Sequence, residues 1–123
     1  KGKKGEAAAC GNQTVEEAQF YWRTNHGPLI RGVSTGFRMQ RYVQVHYFAS
    51  ELESQLTEPR GTVTAPYYGH AEAWFNHADL LTMANVPEAT RAMEIAINDE
   101  RKFIDFQNSA MWIGKERVFI DRR

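Results

Sequence analysis

Arg38–Phe48 reads RMQRYVQVHYF, and its alternation carries the fold. Successive side chains of a strand point to opposite faces. Met39, Val43 and Val45 therefore share one face, and Gln40, Tyr42, Gln44 and His46 share the other. The first face suits packing beneath helices. The second sets hydrogen-bonding and proton-transferring groups in a row, where an exposed sheet would more cheaply use Lys, Glu or Thr. That row is either the wall of a cavity or a solvated face whose Tyr and His simply fit a strand.

A second stretch, Pro66–Asn76 (PYYGHAEAWFN), turns the reading toward a cavity. Here Tyr68, His70, Glu72 and Trp74 alternate with Gly69, Ala71, Ala73 and Phe75. The small residues would let helices approach closely. Two polar, aromatic faces in one sheet would line a common space.

Upstream, Thr14 and Glu17 have the spacing of a capping box, which opens a helix. Ala18, Trp22, His26, Leu29, Ile30 and Val33 then recur at three- and four-residue intervals and form one core-facing stripe. Gly27 and Pro28 follow His26, and Pro28 has no backbone N–H, so the helix is expected to break or kink there. An imidazole at such a break either caps it or turns one nitrogen into a cavity while a freed carbonyl holds the other. Lys1–Gln13 (KGKKGEAAACGNQ) reads as a loop or frayed end.

Downstream, Ala49–Ala65 is polar and contains Pro59 and Gly61, a surface loop with at most a helical turn at Leu52–Leu56. His77–Asp105 reads as helical, with Pro87 near the start of its main helix and Ala89, Met93, Ala96, Ile97, Phe103 and Ile104 as the packing side. Its charges, Glu88 with Arg91 and Asp99 with Arg101 and Lys102, are expected on a solvated face. Ser109–Ile120 (SAMWIGKERVFI) reads as a closing strand, with Gly114 marking a bulge. The order helix, strand, strand, helix, strand describes an α+β sandwich with helices on one face of a sheet. If the helix-free face carries Tyr42, His46, His70 and Trp74, a closing loop or a second subunit must shield it, and a homodimer is the economical answer.

At 123 residues the chain is read as one domain spanning 1–123, large enough to bury a core without metal or disulfide. Fifteen basic and fifteen acidic residues balance, so no long-range field draws it to nucleic acid or an anionic membrane. The single cysteine, Cys10, forms no intrachain disulfide and suits a reducing compartment, and no apolar run approaches the ~20 residues of a membrane span. A cytoplasmic protein is expected. The first residue is Lys1 and not Met, which reads as a processed or trimmed start that leaves room for an upstream targeting peptide.

The four histidines stand on separate elements without HxH or HExxH spacing, so no metal site is expected. No glycine-rich phosphate loop leads into a helix, which gives no sign of a nucleotide or flavin cofactor. A serine nucleophile elbow is lacking as well. General acid–base chemistry by His, Tyr and Glu in an aromatic-lined pocket remains.

YWRTNHGPLI (Tyr21–Ile30), RYVQVH (Arg41–His46), YYGHAEAWF (Tyr67–Phe75) and DERKFID (Asp99–Asp105) resemble, in order and spacing, the signature stretches of the EthD family. The resemblance covers about four-fifths of the chain. It implies a ferredoxin-like βαββαβ fold that pairs as a dimeric α/β barrel. Some bacterial members of that family are encoded beside a cytochrome monooxygenase system for ether degradation. Fungal relatives are decarboxylases of aromatic polyketides, and related barrels include cofactor-free monooxygenases, cyclases and isomerases. The chain departs from the family in three places: no first strand is readable before the capping box, Tyr68 stands where an Asp is usual, and His70 occupies an otherwise apolar position.

Together these readings describe a cofactor-free homodimeric enzyme acting on an aromatic or polyketide-like small molecule. A lyase of decarboxylase or dehydratase type leads. A cofactor-free monooxygenase, or a protein that merely holds a hydrophobic metabolite, are the alternatives. His46 is the expected principal acid–base residue, with His26, Tyr42 and Glu72 beside it. Trp22, Gln44, Tyr68, His70 and Trp74 are expected to contact substrate.

Overall fold

The computed structural model describes residues 13–123, so the expected frayed segment Lys1–Gln13 lies outside it except for Gln13. The described chain contains helices α1 (Val15–Tyr21), α2 (Gly27–Phe37), α3 (Leu52–Thr57), α4 (His77–Thr82) and α5 (Pro87–Glu100), with strands β1 (Arg41–His46) and β2 (Gly69–Trp74). It is an α+β protein.

The capping box forms: Thr14 Oγ1 accepts from the Glu17 N–H at 3.1 Å, and the Thr14 N–H donates to Glu17 Oε1 at 2.9 Å. From there the helix does not end at Gly27–Pro28, where the sequence suggested a break or kink. A π-turn, Trp22–His26, joins α1 to α2, with the Gly27 N–H bonded to the Trp22 carbonyl. Pro28 offers no N–H to the carbonyl four residues back and its ring crowds that carbonyl; a widened turn just before it relieves the crowding without ending the helix. The stripe survives, with Ala18, Trp22, His26 and Ile30 all buried.

β1 and β2 pair antiparallel, with Tyr42 opposite Ala73, Gln44 opposite Ala71 and His46 opposite Gly69. Directly opposed residues share a face. Hence Tyr42, Gln44 and His46 lie with Gly69, Ala71 and Ala73, while Val43 and Val45 lie with Glu72 and His70. This corrects the expected arrangement twice. The polar row of β1 and the polar row of β2 are on opposite faces, and it is the Tyr42–Gln44–His46 row that packs beneath the helices. The physical reason is the indole of Trp22, which stacks on His46 with ring centroids 4.4 Å apart and fills the space left by Gly69. Val45, expected in the core, is 44% exposed.

Gly69 sits where only a residue without Cβ fits. A Cβ there would stand 2.5 Å from the Val45 carbonyl and 2.6 Å from Trp22 Cζ3. We expect Gly69→Ala to cost about 1–3 kcal/mol by overpacking and to move the Trp22–His46 stack. Urea denaturation followed by tryptophan fluorescence measures both; an unchanged midpoint and emission would contradict this close approach.

Gln19 holds the sheet to α1, its Nε2 donating to the carbonyls of Tyr47 and Tyr68 at 2.8 Å each. α2 crosses α5 through small residues: a Cβ on Gly36 would come within 3.3 Å of the Glu88 carbonyl, and Ala92 and Ala96 pack with Ile30 and Phe37. Pro87 opens α5 as read from sequence, and α3 fulfils the turn at Leu52–Leu56. Met93, by contrast, is exposed; the buried side of α5 is Ala89, Ala92, Ala96 and Asp99.

Ser109–Ile120 forms no strand. Apart from a bend it carries no regular structure, so Gly114 marks no bulge, and Trp112 and Phe119 are 83% and 93% exposed. Strand-forming residues make a strand only against a paired edge, and among the described residues no edge takes this segment.

Candidate functional site

The buried polar groups concentrate where the π-turn meets the C-terminal end of α5 and the inner face of β1. His26, 3% exposed, lies against Phe103 with ring centroids 5.0 Å apart. Its Nδ1 is 2.8 Å from Asp99 Oδ2, and its Nε2 is 3.6 Å from Glu100 Oε2. The hydroxyl of Tyr21 donates to Asp99 Oδ1 at 2.5 Å, and Lys102 Nζ stands 3.7 Å from the same oxygen. Burial alone would raise the Asp99 carboxyl, but hydrogen bonds from Tyr21 and His26, with the charges of His26 and Lys102, outweigh it and hold it below its ordinary value. The bond to Asp99 in turn pushes Tyr21 up to about 12. Burial lowers His26 against the opposing pull of Asp99.

Glu100 is the group most displaced toward neutrality. Burial, then the charge of neighbouring Asp99, push it up to about 7. A carboxyl raised in the folded state binds its proton more tightly there. Its contribution to stability is therefore full below the unfolded value of 4.5 and is lost as pH rises through about 7, a span of about 3 kcal/mol. We expect the wild-type protein to lose that much relative to Glu100→Gln between pH 4.5 and 8. Denaturant titrations at several pH values check it, and a pH-independent difference would mean that Glu100 titrates normally.

A second set of bonds joins the strand to the helix. Gln44 Nε2 donates to the π-turn carbonyl of Trp22 at 3.0 Å and to the Tyr42 hydroxyl at 3.2 Å. Gln44 Oε1 is thereby left as the acceptor for His46 Nε2 at 2.7 Å. That assigns the His46 proton to Nε2 and leaves Nδ1 a buried acceptor without a partner. Burial, and to a lesser degree the Arg23 charge, lower His46. Burial raises Tyr42 against hydrogen bonds from Gln44 and Trp22, and the Glu100 charge adds to the rise, so Tyr42 lies in the field of the His26 cluster.

Residues 11–107 match the family model described as the EthD domain. The chain belongs to the EthD family. No curated protein and no solved structure matches it.

In this EthD domain the structure joins Trp22, Tyr42, Gln44 and His46 in one set, places His26 one turn along from Trp22 with Asp99 and Glu100, and adds Tyr68 in a different role. Tyr68 is buried, edge-on to Trp22 at 5.6 Å, with its hydroxyl donating to the Phe103 carbonyl at 3.2 Å. It is part of the core under the cluster. Glu72, His70 and Trp74 are not brought there: the register turns them to the opposite face. His70 and Glu72 form an exposed pair at 3.3 Å, and the Arg41 guanidinium lies 5.0 Å above the Trp74 ring. The expected approach of His26 to Glu72 is therefore replaced by its approach to Asp99 and Glu100.

Asp99, Glu100, Tyr21 and Phe103 join the site although local pattern does not place them there. Asp99, with the sequence neighbourhood of a solvated face, is 9% exposed. A signal is present all the same: Ala92, Ala96, Asp99 and Phe103 follow one another at four, three and four residues, a single buried stripe. A hollow of about 340 Å³, lined by Ala84, Asn85, Pro87, Thr90, Arg91 and Glu94, lies away from this cluster. The Tyr42–Gln44–His46 row is packed against the helix and does not line that space.

Among the described residues no helix is long and apolar enough to cross a membrane.

Proposed function

We propose that this EthD domain is a cofactor-free acid–base enzyme acting on an aromatic or polyketide-like small molecule, most simply a lyase of decarboxylase or dehydratase type. The observation that carries the reading is His26, buried, held on one side by Asp99 at 2.8 Å and facing Glu100 at 3.6 Å on the other. Such an arrangement presets a ring nitrogen and a near-neutral carboxyl for proton transfer. His26, His46 and Tyr42 supply the proton-transferring groups, and Trp22 with Gln44 supplies the aromatic and amide wall. Preorganised donors of this kind stabilise the enolate formed when carbon dioxide leaves a β-keto acid, or when an α-proton is removed ahead of hydroxide loss.

The test is a panel of aromatic β-keto and o-hydroxy acids followed by mass spectrometry and an oxygen electrode. Loss of carbon dioxide or water without dioxygen uptake is the expected result. Dioxygen uptake would assign the oxygenase reading, and a ligand that raises the melting temperature but is never turned over would assign a binding protein.

The same reading includes the family's ferredoxin-like sandwich and its pairing as a dimeric α/β barrel. Support comes from the exposed apolar segment at Met111, Trp112, Ile113 and Phe119, and from Val45, exposed beside His70, Glu72 and Trp74 on the face of the sheet away from the helices. Exposed apolar surface of this kind marks association. Light scattering at micromolar concentration should return twice the chain mass of 14.1 kDa. A monomer would end the barrel reading.

A further inference from the structure

His26 lies between two adjacent carboxylates of unlike surroundings. Asp99 is met by donors from three directions: the Tyr21 hydroxyl from α1, the His26 ring from the π-turn and Lys102 from just beyond α5. An ionised carboxylate only accepts, so the ring nitrogen at 2.8 Å from it carries a hydrogen. The remaining nitrogen, Nε2, faces Glu100 at 3.6 Å. Glu100 is faced by this ring and by Asp99 on its own helix, and its charge in turn reaches Tyr42 on β1. Its side chain is 24% exposed, against 3% for His26, so it is the more open member of the pair.

We propose that Glu100 is the acid of this site, and that Asp99 and Tyr21 are positioning residues which hold His26 in the Nδ1–H tautomer with its bare Nε2 turned to Glu100. The exchangeable proton then resides on a carboxyl group and the imidazole stays neutral. The directions in which burial displaces the two groups agree, since Glu100 rises to about 7 and His26 falls. Double anchoring of Asp99 keeps its charge in place, and that charge makes a second anion at Glu100 costly.

The chemical half of the proposal rests on the acid–base reading above. When a bound β-keto acid loses carbon dioxide, the C–C bond breaks and its electron pair passes into an enolate. The Glu100 O–H gives its proton to the carbanionic carbon and is left as a carboxylate, which takes a proton back from water. The net change is carboxylate plus proton to product plus carbon dioxide, with no oxidant or reductant. In this scheme the Glu100 proton faces His26 Nε2, 3.6 Å away, between turnovers.

The deciding measurement does not require a substrate. Two-dimensional 15N–1H spectra of the full chain report the protonation and tautomer of each histidine ring, and 13C spectra report each carboxyl. His26 should be neutral and Nδ1-protonated from pH 7 to 8. One glutamate carboxyl should titrate near 7 and vanish in Glu100→Gln. In Asp99→Asn, which keeps the shape but can also donate, the His26 tautomer should become mixed. A His26 imidazolium at pH 7, an Nε2–H tautomer in the wild-type protein, or a Glu100 that titrates with the surface glutamates would overturn the proposal. If Asp99→Asn does not fold, the wild-type spectra alone distinguish these outcomes. Because none of these readouts passes through turnover, failure to find a substrate tells against the enzymatic reading and not against the proton's location.

Discussion

Replacing Asp99 by alanine should destabilise the protein by about 3–5 kcal/mol, the range for removing one partner of a buried ion pair. The side chain accepts from Tyr21 at 2.5 Å and is paired with His26 at 2.8 Å, and its removal strands both groups. His26 is 3% exposed, so its ring bears much of the cost of an unpaired buried donor. The pH dependence has a fixed sign. Asp99 is held below its ordinary 3.8, so its contribution is full above that value and fades as pH falls through the lowered one. Urea denaturation at neutral pH should show the whole loss, with the difference narrowing in strong acid. Asp99→Asn should lose less, since an amide oxygen still accepts. A loss below about 1 kcal/mol at neutral pH would place this network among ordinary surface pairs.

Replacing His26 or His46 by alanine should lower turnover by ~10²- to 10⁴-fold, the usual contribution of a general acid–base group. The two substitutions should differ in what else they disturb. His46 is stacked on Trp22 at 4.4 Å and donates to Gln44 at 2.7 Å, yet its Nδ1 meets no partner. A bare acceptor at a buried position is what a proton-transferring ring must keep free. His46→Ala should therefore remove activity while the far-ultraviolet circular dichroism stays native. His26→Ala leaves Asp99 and Glu100 facing each other without a ring between them, so it should lose stability as well as activity. Parallel measurements of kcat, KM and melting temperature separate these effects. A His46→Ala protein that melts lower but turns over normally would make His46 a packing residue and leave the chemistry to His26 and Glu100.

Much of this could be read from local pattern. Thr14 and Glu17 announce a helix start because a capping box involves only residues three apart. The Ala18–Trp22–His26–Ile30 stripe and the Pro87 start of α5 follow from helix geometry in the same way. Two strands, the α+β class and membership of the EthD family were also legible, as their signals lie in contiguous segments.

Tertiary structure decided the rest. Period-two alternation separates two faces but does not say which one turns inward; the choice depended on Trp22 reaching across to Gly69 and His46, residues far apart in the chain. Asp99 has the sequence neighbourhood of a solvated charge, and only the arrival of Tyr21 and His26 from another helix offsets the cost of its burial. Ser109–Ile120 has the composition of a strand without an edge to pair with among the described residues. The amino-acid sequence determined the capped first helix, the Pro87 helix and the two paired strands. Packing between distant elements determined which side chains meet, because a buried polar group is stable only where its partners happen to be.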